Sequence, residues 1–309
     1  MKMYDLIIVG SGPAGLSAAI YGKRAGLNLL VLEQSPMSGG QILNTYEVDN
    51  YLGLPGINGF DMGMQFRAHA DRLEVEFETA QVTGVEDLGE HRLVHTDLGD
   101  YETRALILAT GADHAHLGVP GETEFLGRGV SYCATCDGAF FKGKVAAVVG
   151  GGDVALEDAI YLARFCSKVY CIHRRDEFRG AYILQQELMA LPNVEILYSH
   201  TVEEIRGQEK VTGLLLKNVK NSETSELIVD GIFIAVGIHP NTELFRDLAA
   251  CDEQGYFVAG EDCATDHEGI FAAGDVRRKP LRQIVTAVAD GANAVTSVGN
   301  YLSELKRRS

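Results

Sequence analysis

The sequence predicts an α/β protein of two similar domains, the second inserted in the first, and three observations carry that prediction. A glycine-rich turn, Gly10-Ser11-Gly12-Pro13-Ala14-Gly15, recurs as Gly150-Gly151-Gly152-Asp153-Val154-Ala155. Each turn sits between a short apolar run and a stretch with helical spacing, and the interval from Gly10 to Glu33 equals that from Gly150 to His173. Three further apolar runs end in glycine, and the last of them follows the second repeat, so the chain is expected to return to its first domain.

The elements follow in order. Residues 5–9 read as a strand buried on both faces, because the run has no polar alternation. Apolar residues at helical spacing predict a helix over 14–25, and 29–32 form a second strand ending at Glu33, which completes a βαβ unit. Residues 105–111, Ala-Leu-Ile-Leu-Ala-Thr-Gly, read as a closing strand. In the second copy the strand is 145–149, the helix 155–165 and the next strand 169–172, ending at His173. Residues 231–237 close that domain. Residues 269–274 lead into Asp275 and Val276, and 281–302 read as a final helix whose start at Arg282-Gln283-Ile284 presents free N–H groups. The expected boundaries are 1–113 and 243–309 for the first domain and 114–242 for the second.

Bulk properties fit this plan. A chain of 309 residues suits two cores rather than one. Its 46% hydrophobic and 23% charged content is that of a globular protein. A net charge of −16 argues against nucleic acid and against anionic membrane surfaces as partners. No stretch reaches the roughly 20 apolar residues of a membrane span, and the N-terminus lacks a signal-peptide pattern, so a cytoplasmic location is expected. Of six cysteines, Cys166, Cys171, Cys251 and Cys263 are irregularly spaced and read as small core residues.

The chemistry lies in the two turns and in what separates them. Gly10 allows the tight first turn, Gly12 lets backbone approach a pyrophosphate, and Gly15 permits close helix–strand packing. The helix start supplies oriented N–H groups, and Glu33 stands where a carboxylate accepts from a ribose. The second copy replaces Glu33-Gln34 with His173-Arg174-Arg175, with Arg179 beyond. Guanidinium groups there would bind a 2′-phosphate that a carboxylate would repel. The first site therefore suits FAD or NAD and the second NADPH; the competing reading of the arginines is a solvated basic cluster beside an acidic neighbour. Between the turns stands Cys133-Ala134-Thr135-Cys136-Asp137. Two intervening residues can place both sulfurs within bonding range, which suits a redox disulfide. Two buried thiols or half a zinc site are the alternatives, but no second pair has ligand spacing, so no metal is expected. Asp137 reads either as a proton donor and acceptor or as a turn cap. A flavin is the natural intermediary between a nicotinamide and a disulfide.

These motifs resemble the low-molecular-weight thioredoxin reductases over nearly the whole chain. The resemblance is carried by the first glycine turn, Gly39-Gly40-Gln41, Ala109-Thr110-Gly111, Cys133-Ala134-Thr135-Cys136-Asp137-Gly138 after Gly129-Val130-Ser131-Tyr132, His173-Arg174-Arg175 with Arg179, and Gly274-Asp275. It implies two Rossmann-like domains, with the NADPH domain inserted in the FAD domain, and a homodimer acting on thioredoxin. It implies FAD contacts at Ser11, Gly12, Ala14, Glu33, Gly39 to Ile42 and Asn50. Asp275 would hold the ribityl chain, and Gln283 and Ile284 would offer N–H groups to the flavin pyrimidine. Cys136 would face the flavin as the charge-transfer thiolate, Cys133 would attack the substrate disulfide, and Asp137 would be the acid/base. Rotation of the NADPH domain about hinges near 113–117 and 241–244 is implied as well. One departure stands out: Val154 occupies a place where many relatives carry Ser or Thr, a hydroxyl worth on the order of 1 kcal/mol to a bound pyrophosphate. Two alternatives remain at this point. One is a ferredoxin-linked or other-partner reductase of the same fold, separated by which donor bleaches the flavin. The other is a nucleotide sensor whose disulfide is only a switch, which would turn over no disulfide protein.

Overall fold

The structure, a computed structural model, describes residues 2–45 and 47–308. In chain order the strands and helices are β1 Met3–Val9, α1 Pro13–Arg24, β2 Leu29–Glu33, α2 Gly59–Arg72, β3 Glu76–Thr79, β4 Val82–Asp87, β5 Arg92–Thr96, β6 Gly99–Leu108 and β7 Ala112–His114. There follow β8 Val130–Ser131, the short helical turn α3 Ala134–Asp137, β9 Val145–Gly150, α4 Asp153–Ala163, β10 Lys168–His173, α5 Tyr182–Met189, β11 Val194–Tyr198, β12 His200–Gly207, β13 Val211–Asn218 and β14 Thr224–Ile228. The chain ends with β15 Gly231–Ala235, β16 Ile238–Pro240, β17 Ile270–Ala272 and α6 Ile284–Arg308.

These elements divide into two compact units. Among the described residues the first comprises 2–45, 51–113 and 239–308, and the second 47–50 and 114–238. Residues 47–50 thus group with the second unit, although the sequence places them in the first.

The first unit is built on a seven-stranded sheet ordered β3-β2-β1-β6-β5-β4, with β17 also paired to β6. Strand β1 lies between parallel β2 and β6, and packed layers cover both faces of the sheet there, so its run of apolar residues is required. Successive residues serve opposite faces. Leu6 and Ile8 join α1 and α6 residues such as Leu16 and Val298, whereas Ile7 and Val9 join Phe245, Leu248 and Phe257 on the other side.

The second unit repeats the scheme with a five-stranded parallel sheet ordered β11-β10-β9-β15-β8. Ala146 and Val148 pack on Ala155, Leu156 and Ala159 of α4. Ala147, Val149 and Ile172 pack on the other face against Val202, Ile205, Leu214 and Leu216 of the antiparallel sheet β12-β13-β14. The two joining segments, β7 and β16, pair as a two-stranded sheet.

The expected boundaries shift for local reasons. Helix α1 begins at Pro13, a residue suited to the first helical turn because it lacks the N–H that would go unpaired there. Strand β6 stops at Leu108, leaving Ala109-Thr110-Gly111 as a loop. Helix α6 starts at Ile284 rather than 281 and runs to Arg308. Thr286 Oγ accepts from the Gln283 N–H at 3.1 Å and donates toward the carbonyls of Leu281 and Gln283, which fixes that start. The C-terminal extension is polar, and its Lys306, Arg307 and Arg308 suit the negative end of the helix dipole.

Candidate active site

In the first unit the glycine turn is fixed by contacts on every side. Gly10 has φ of +102°, and a Cβ there would lie 2.5 Å from the Ala109 carbonyl oxygen. A Cβ on Gly15 would lie 1.9 Å from the Gly10 carbonyl oxygen, so a side chain there would push α1 off the turn. Gly12 caps α1 with no side-chain bond, leaving the first N–H groups of the helix to a ligand. The Glu33 carboxylate accepts from the Ser11 N–H at 2.7 Å, the Ser11 hydroxyl at 2.8 Å and the Ser35 N–H at 2.9 Å. Gly39 donates to the Ser11 carbonyl at 2.9 Å, and this bond starts the 3-10 turn Gly40–Asn44, which carries Gln41 and the buried Ile42. Across the turn, Gly274 comes so close to Ala14 that an added Cβ would meet its Cβ at 2.9 Å.

The structure therefore gathers Gly10, Ser11, Gly12, Ala14, Gly15, Glu33, Gly39 to Ile42, Ala109 and Gly274 around one turn. Thr110 and Gly111 meet the returning chain: Thr110 Oγ donates to the Asn241 carbonyl at 2.8 Å, and the Asn241 N–H donates to the Gly111 carbonyl at 3.0 Å. Asn50, expected beside this cluster, falls in the 47–50 segment that groups with the second unit.

Beyond Gly274, the loop to α6 carries buried polar atoms that lack partners. Among the described residues, Asp275 Oδ1 and Arg282 Nε are buried with no hydrogen-bond partner. Burial raises the Asp275 carboxyl above its usual range, against the opposing pull of Lys279 and Arg282. Arg282 stacks over the Tyr256 ring at 4.0 Å. Val276 is fully buried, and the Gln283 N–H is already committed to Thr286. A residue the sequence did not single out holds this loop. Asp290 of α6 accepts from the Gly274 N–H at 2.9 Å, Arg277 Nε at 2.8 Å, Arg277 Nη2 at 2.6 Å and Lys279 Nζ at 2.8 Å. Burial would raise its carboxyl, but Arg277, Lys279 and that N–H bring it below the usual range.

In the second unit Gly152 caps α4 without a side-chain bond, and a Cβ there would meet nothing within 4 Å. Asp153 turns away from the open end, accepting from the Ala181 N–H at 2.7 Å, and Val154 is 53% exposed at the helix start. The N–H groups of Arg179 and Gly180 donate to the Gly151 carbonyl at 2.7 and 3.1 Å, which carries the Arg179 segment to the turn. Arg174, Arg175 and Arg179 are exposed, and among the described residues none of them pairs with a carboxylate. His173 behaves differently from the arginines. It is buried with its ring against Gly151, and burial lowers its pKa so that it is neutral near pH 7. Its place is beneath the turn, as packing, rather than on the exposed face with the arginines.

Cys133 and Cys136 form a disulfide across α3, with Cα atoms 5.3 Å apart, and both are half-buried. Strand β8 delivers the segment, and the Asp137 N–H closes the turn on the Cys133 carbonyl at 3.1 Å. The Asp137 side chain caps no turn: its carboxyl accepts from the Ser131 hydroxyl at 2.5 Å, and its other oxygen is buried without a partner among the described residues. Burial raises the Asp137 pKa, and the Ser131 bond opposes the rise. A carboxyl poised this way can carry a proton beside a sulfur pair. Sequence reasoning missed Ser131, although a hydroxyl two residues before the first cysteine was there to be weighed. Of the other thiols, Cys166, Cys171 and Cys263 are buried and Cys251 is half-buried. Burial pushes Cys166 up to about 11 and Cys171 and Cys263 up to about 12.

The profile of the pyridine nucleotide-disulphide oxidoreductases matches residues 4–291. The chain belongs to that family. It is 45% identical over 306 residues to the thioredoxin reductase of Bacillus subtilis (strain 168), covering 99% of this chain and 96% of the relative. It is 46% identical over 306 residues to that of Listeria monocytogenes, with the same coverage of 99% and 96%. The crystal structure of thioredoxin reductase from Streptococcus pyogenes MGAS5005 superposes with a TM-score of 0.94 at 43% identity, over 98% of this chain and 99% of that one.

Proposed function

We propose that the chain is a thioredoxin reductase, a flavoprotein that moves two electrons from NADPH through FAD and the Cys133–Cys136 pair to the disulfide of thioredoxin. The observation that carries this reading is the disulfide held on one turn beside a buried carboxyl, in the same unit as an arginine-flanked glycine turn. The relatives' activity, at 45–46% identity over 99% of this chain, supports it.

The residues of the first unit fit FAD. Glu33 is an ordered acceptor for a ribose, the α1 start offers N–H groups to a pyrophosphate, and the orphaned Asp275 oxygen is a buried acceptor awaiting a hydroxyl. When bound, FAD supplies the conversion of a hydride into electrons that a disulfide can take. In the second unit the open cap at Gly152 suits the NADPH pyrophosphate and the three exposed arginines its 2′-phosphate. Val154 adds no hydroxyl, so the arginines carry more of the nucleotide's affinity.

Reduction of Cys133–Cys136 takes up two electrons and two protons. Cys133 gives its proton to Asp137 and, as a thiolate, attacks one sulfur of thioredoxin's disulfide. A mixed disulfide forms, and the displaced thioredoxin thiolate takes a proton from Asp137. Cys136 then gives its proton to Asp137 and attacks the Cys133 sulfur, re-forming the enzyme disulfide, and the second thioredoxin thiolate takes that proton as it leaves. A homodimer acting in the cytoplasm completes the proposal; among the described residues no helix is long and apolar enough to cross a membrane.

Anaerobic titration with NADPH and NADH in parallel, followed by absorbance, tests the donor. NADPH should bleach the yellow protein at far lower concentration than NADH, and the reduced protein should then reduce thioredoxin. Purified protein that stays colourless after incubation with FAD would overturn the proposal.

A further inference from the structure

Ser131 lies at the end of β8, 4% exposed, and its hydroxyl joins two parts of the thiol site. The Cys133 N–H donates to Ser131 Oγ at 3.0 Å, and Ser131 Oγ donates to Asp137 Oδ2 at 2.5 Å. The same Oγ lies 3.3 Å from the Cys133 carbonyl oxygen. One hydroxyl proton thus faces two acceptors, and the ionised carboxylate takes it because a charge-assisted bond is shorter and stronger.

We propose that Ser131 is a positioning residue for the thiol chemistry: its hydroxyl links the Asp137 carboxyl to the backbone of Cys133 and holds that carboxyl ready to exchange a proton with the sulfur pair. The inference rests on Asp137 being the proton carrier. When Asp137 is ionised, the Ser131 proton points to it. When Asp137 is protonated, the hydroxyl is free to turn to the Cys133 carbonyl. No covalent bond to Ser131 forms or breaks; its O–H only changes acceptor. The second Asp137 oxygen, buried and unpartnered, is left to receive and release the transferred proton. The Ser131 bond favours the ionised carboxylate, whereas burial favours the protonated form, so the two together keep the proton exchangeable.

Other titratable groups lie around the turn. On β8's side Tyr132 donates to Glu122 at 2.7 Å, and that carboxylate also accepts from the N–H groups of Leu117 and Gly118. Helix α4, packed on α3, carries exposed Glu157 and half-buried Asp158 and Tyr161, and the 3-10 turn Gly138–Phe141 brings no charge. Burial pushes Asp158 up to about 7, so it titrates in the range of interest and belongs in the test.

The test measures thioredoxin reduction by the holoenzyme from about pH 5 to pH 9. The variants are Ser131→Ala, Ser131→Thr, Asp137→Asn, the pair Ser131→Ala with Asp137→Asn, and Ser131→Ala in an Asp158→Asn background. Flavin absorbance confirms that each is folded. Ser131→Ala should cost roughly tenfold near neutral pH and move the limb due to Asp137 toward alkaline pH by about one unit, as loss of a charge-assisted bond implies. Ser131→Thr, which keeps the hydroxyl, should restore the position of the limb. The shift should persist with Asp158→Asn, and Ser131→Ala should change the rate of Asp137→Asn by less than about twofold. An unmoved limb, or a Ser131→Ala loss that multiplies with that of Asp137→Asn, would overturn the positioning role. A wild-type rate and profile for Asp137→Asn would instead remove the proton role of Asp137, a failure read from that variant alone.

Discussion

At the scale of single residues, the division of labour between the two sulfurs gives the sharpest prediction. Cys136→Ser leaves both nucleotide turns intact, so NADPH should still bleach the flavin while thioredoxin turnover falls below detection; stopped-flow absorbance and a coupled assay read the two halves. The arginines make a second. Arg174 and Arg175 are exposed and, among the described residues, have no carboxylate partner, so their charge is available to a 2′-phosphate. Replacing both by Ala should raise KM for NADPH on the order of a hundredfold and leave KM for NADH within about twofold. Much at this scale was legible from spacing alone. The Cys-x-x-Cys interval allowed a bridge on one turn, and the matching offset of Glu33 and His173 marked the ends of corresponding strands. What spacing did not show was His173 turning inward beneath Gly151 while its neighbours stayed outside. Side-chain direction at a strand end depends on packing from Phe178, which no local pattern encodes. Ser131 escaped for a related reason: a hydroxyl reveals its role only when the turn brings Asp137 back to it.

At the scale of elements, α4 combines two demands. Its start serves a nucleotide, and its body packs on β9 and α3, which leaves the carboxyl of Asp158 half-buried among apolar residues. Burial, with a smaller contribution from Glu157, raises its pKa to about 7. A carboxyl raised on folding contributes stability that is complete below its unfolded value and is lost as pH rises through the folded value. The protein should therefore lose stability between about pH 4 and pH 7, by up to a few kcal/mol. Asp158→Asn should flatten that slope, and thermal melts across the range would show it. Equal slopes for both proteins would mean that Asp158 is solvated. The βαβ elements were readable because an apolar run, a glycine turn and a helical stripe are each local signals. The antiparallel sheet β12-β13-β14 was not, since its strands alternate only partly and carry register shifts at Val202/Glu204 and Arg206/Gly207.

At the scale of the whole molecule, the first unit is closed by chain that arrives last, through β17 and α6. The return was legible in the third apolar run ending in glycine. The means of fastening was not, because Asp290 reaches Gly274, Arg277 and Lys279 across a loop and out of a helix whose periodicity marks it only as a polar residue. Asp290→Asn would leave two buried cations short of a counter-charge, at a cost of about 3 kcal/mol. It should also let FAD escape on repeated filtration, measured as flavin fluorescence in the filtrate, where the parent protein retains it. The burial of Cys166, Cys171 and Cys263 has a consequence of its own. A protein that opens and closes one sulfur bridge thousands of times risks scrambling, each cycle offering the nascent nucleophile a wrong mate within its own chain. Thiols that scarcely ionise make poor mates, so those three positions act as insulation around a single live contact. Iodoacetamide added after NADPH should accordingly tag Cys133 and Cys136 within minutes while those three remain unlabelled in the peptide map until the chain is unfolded.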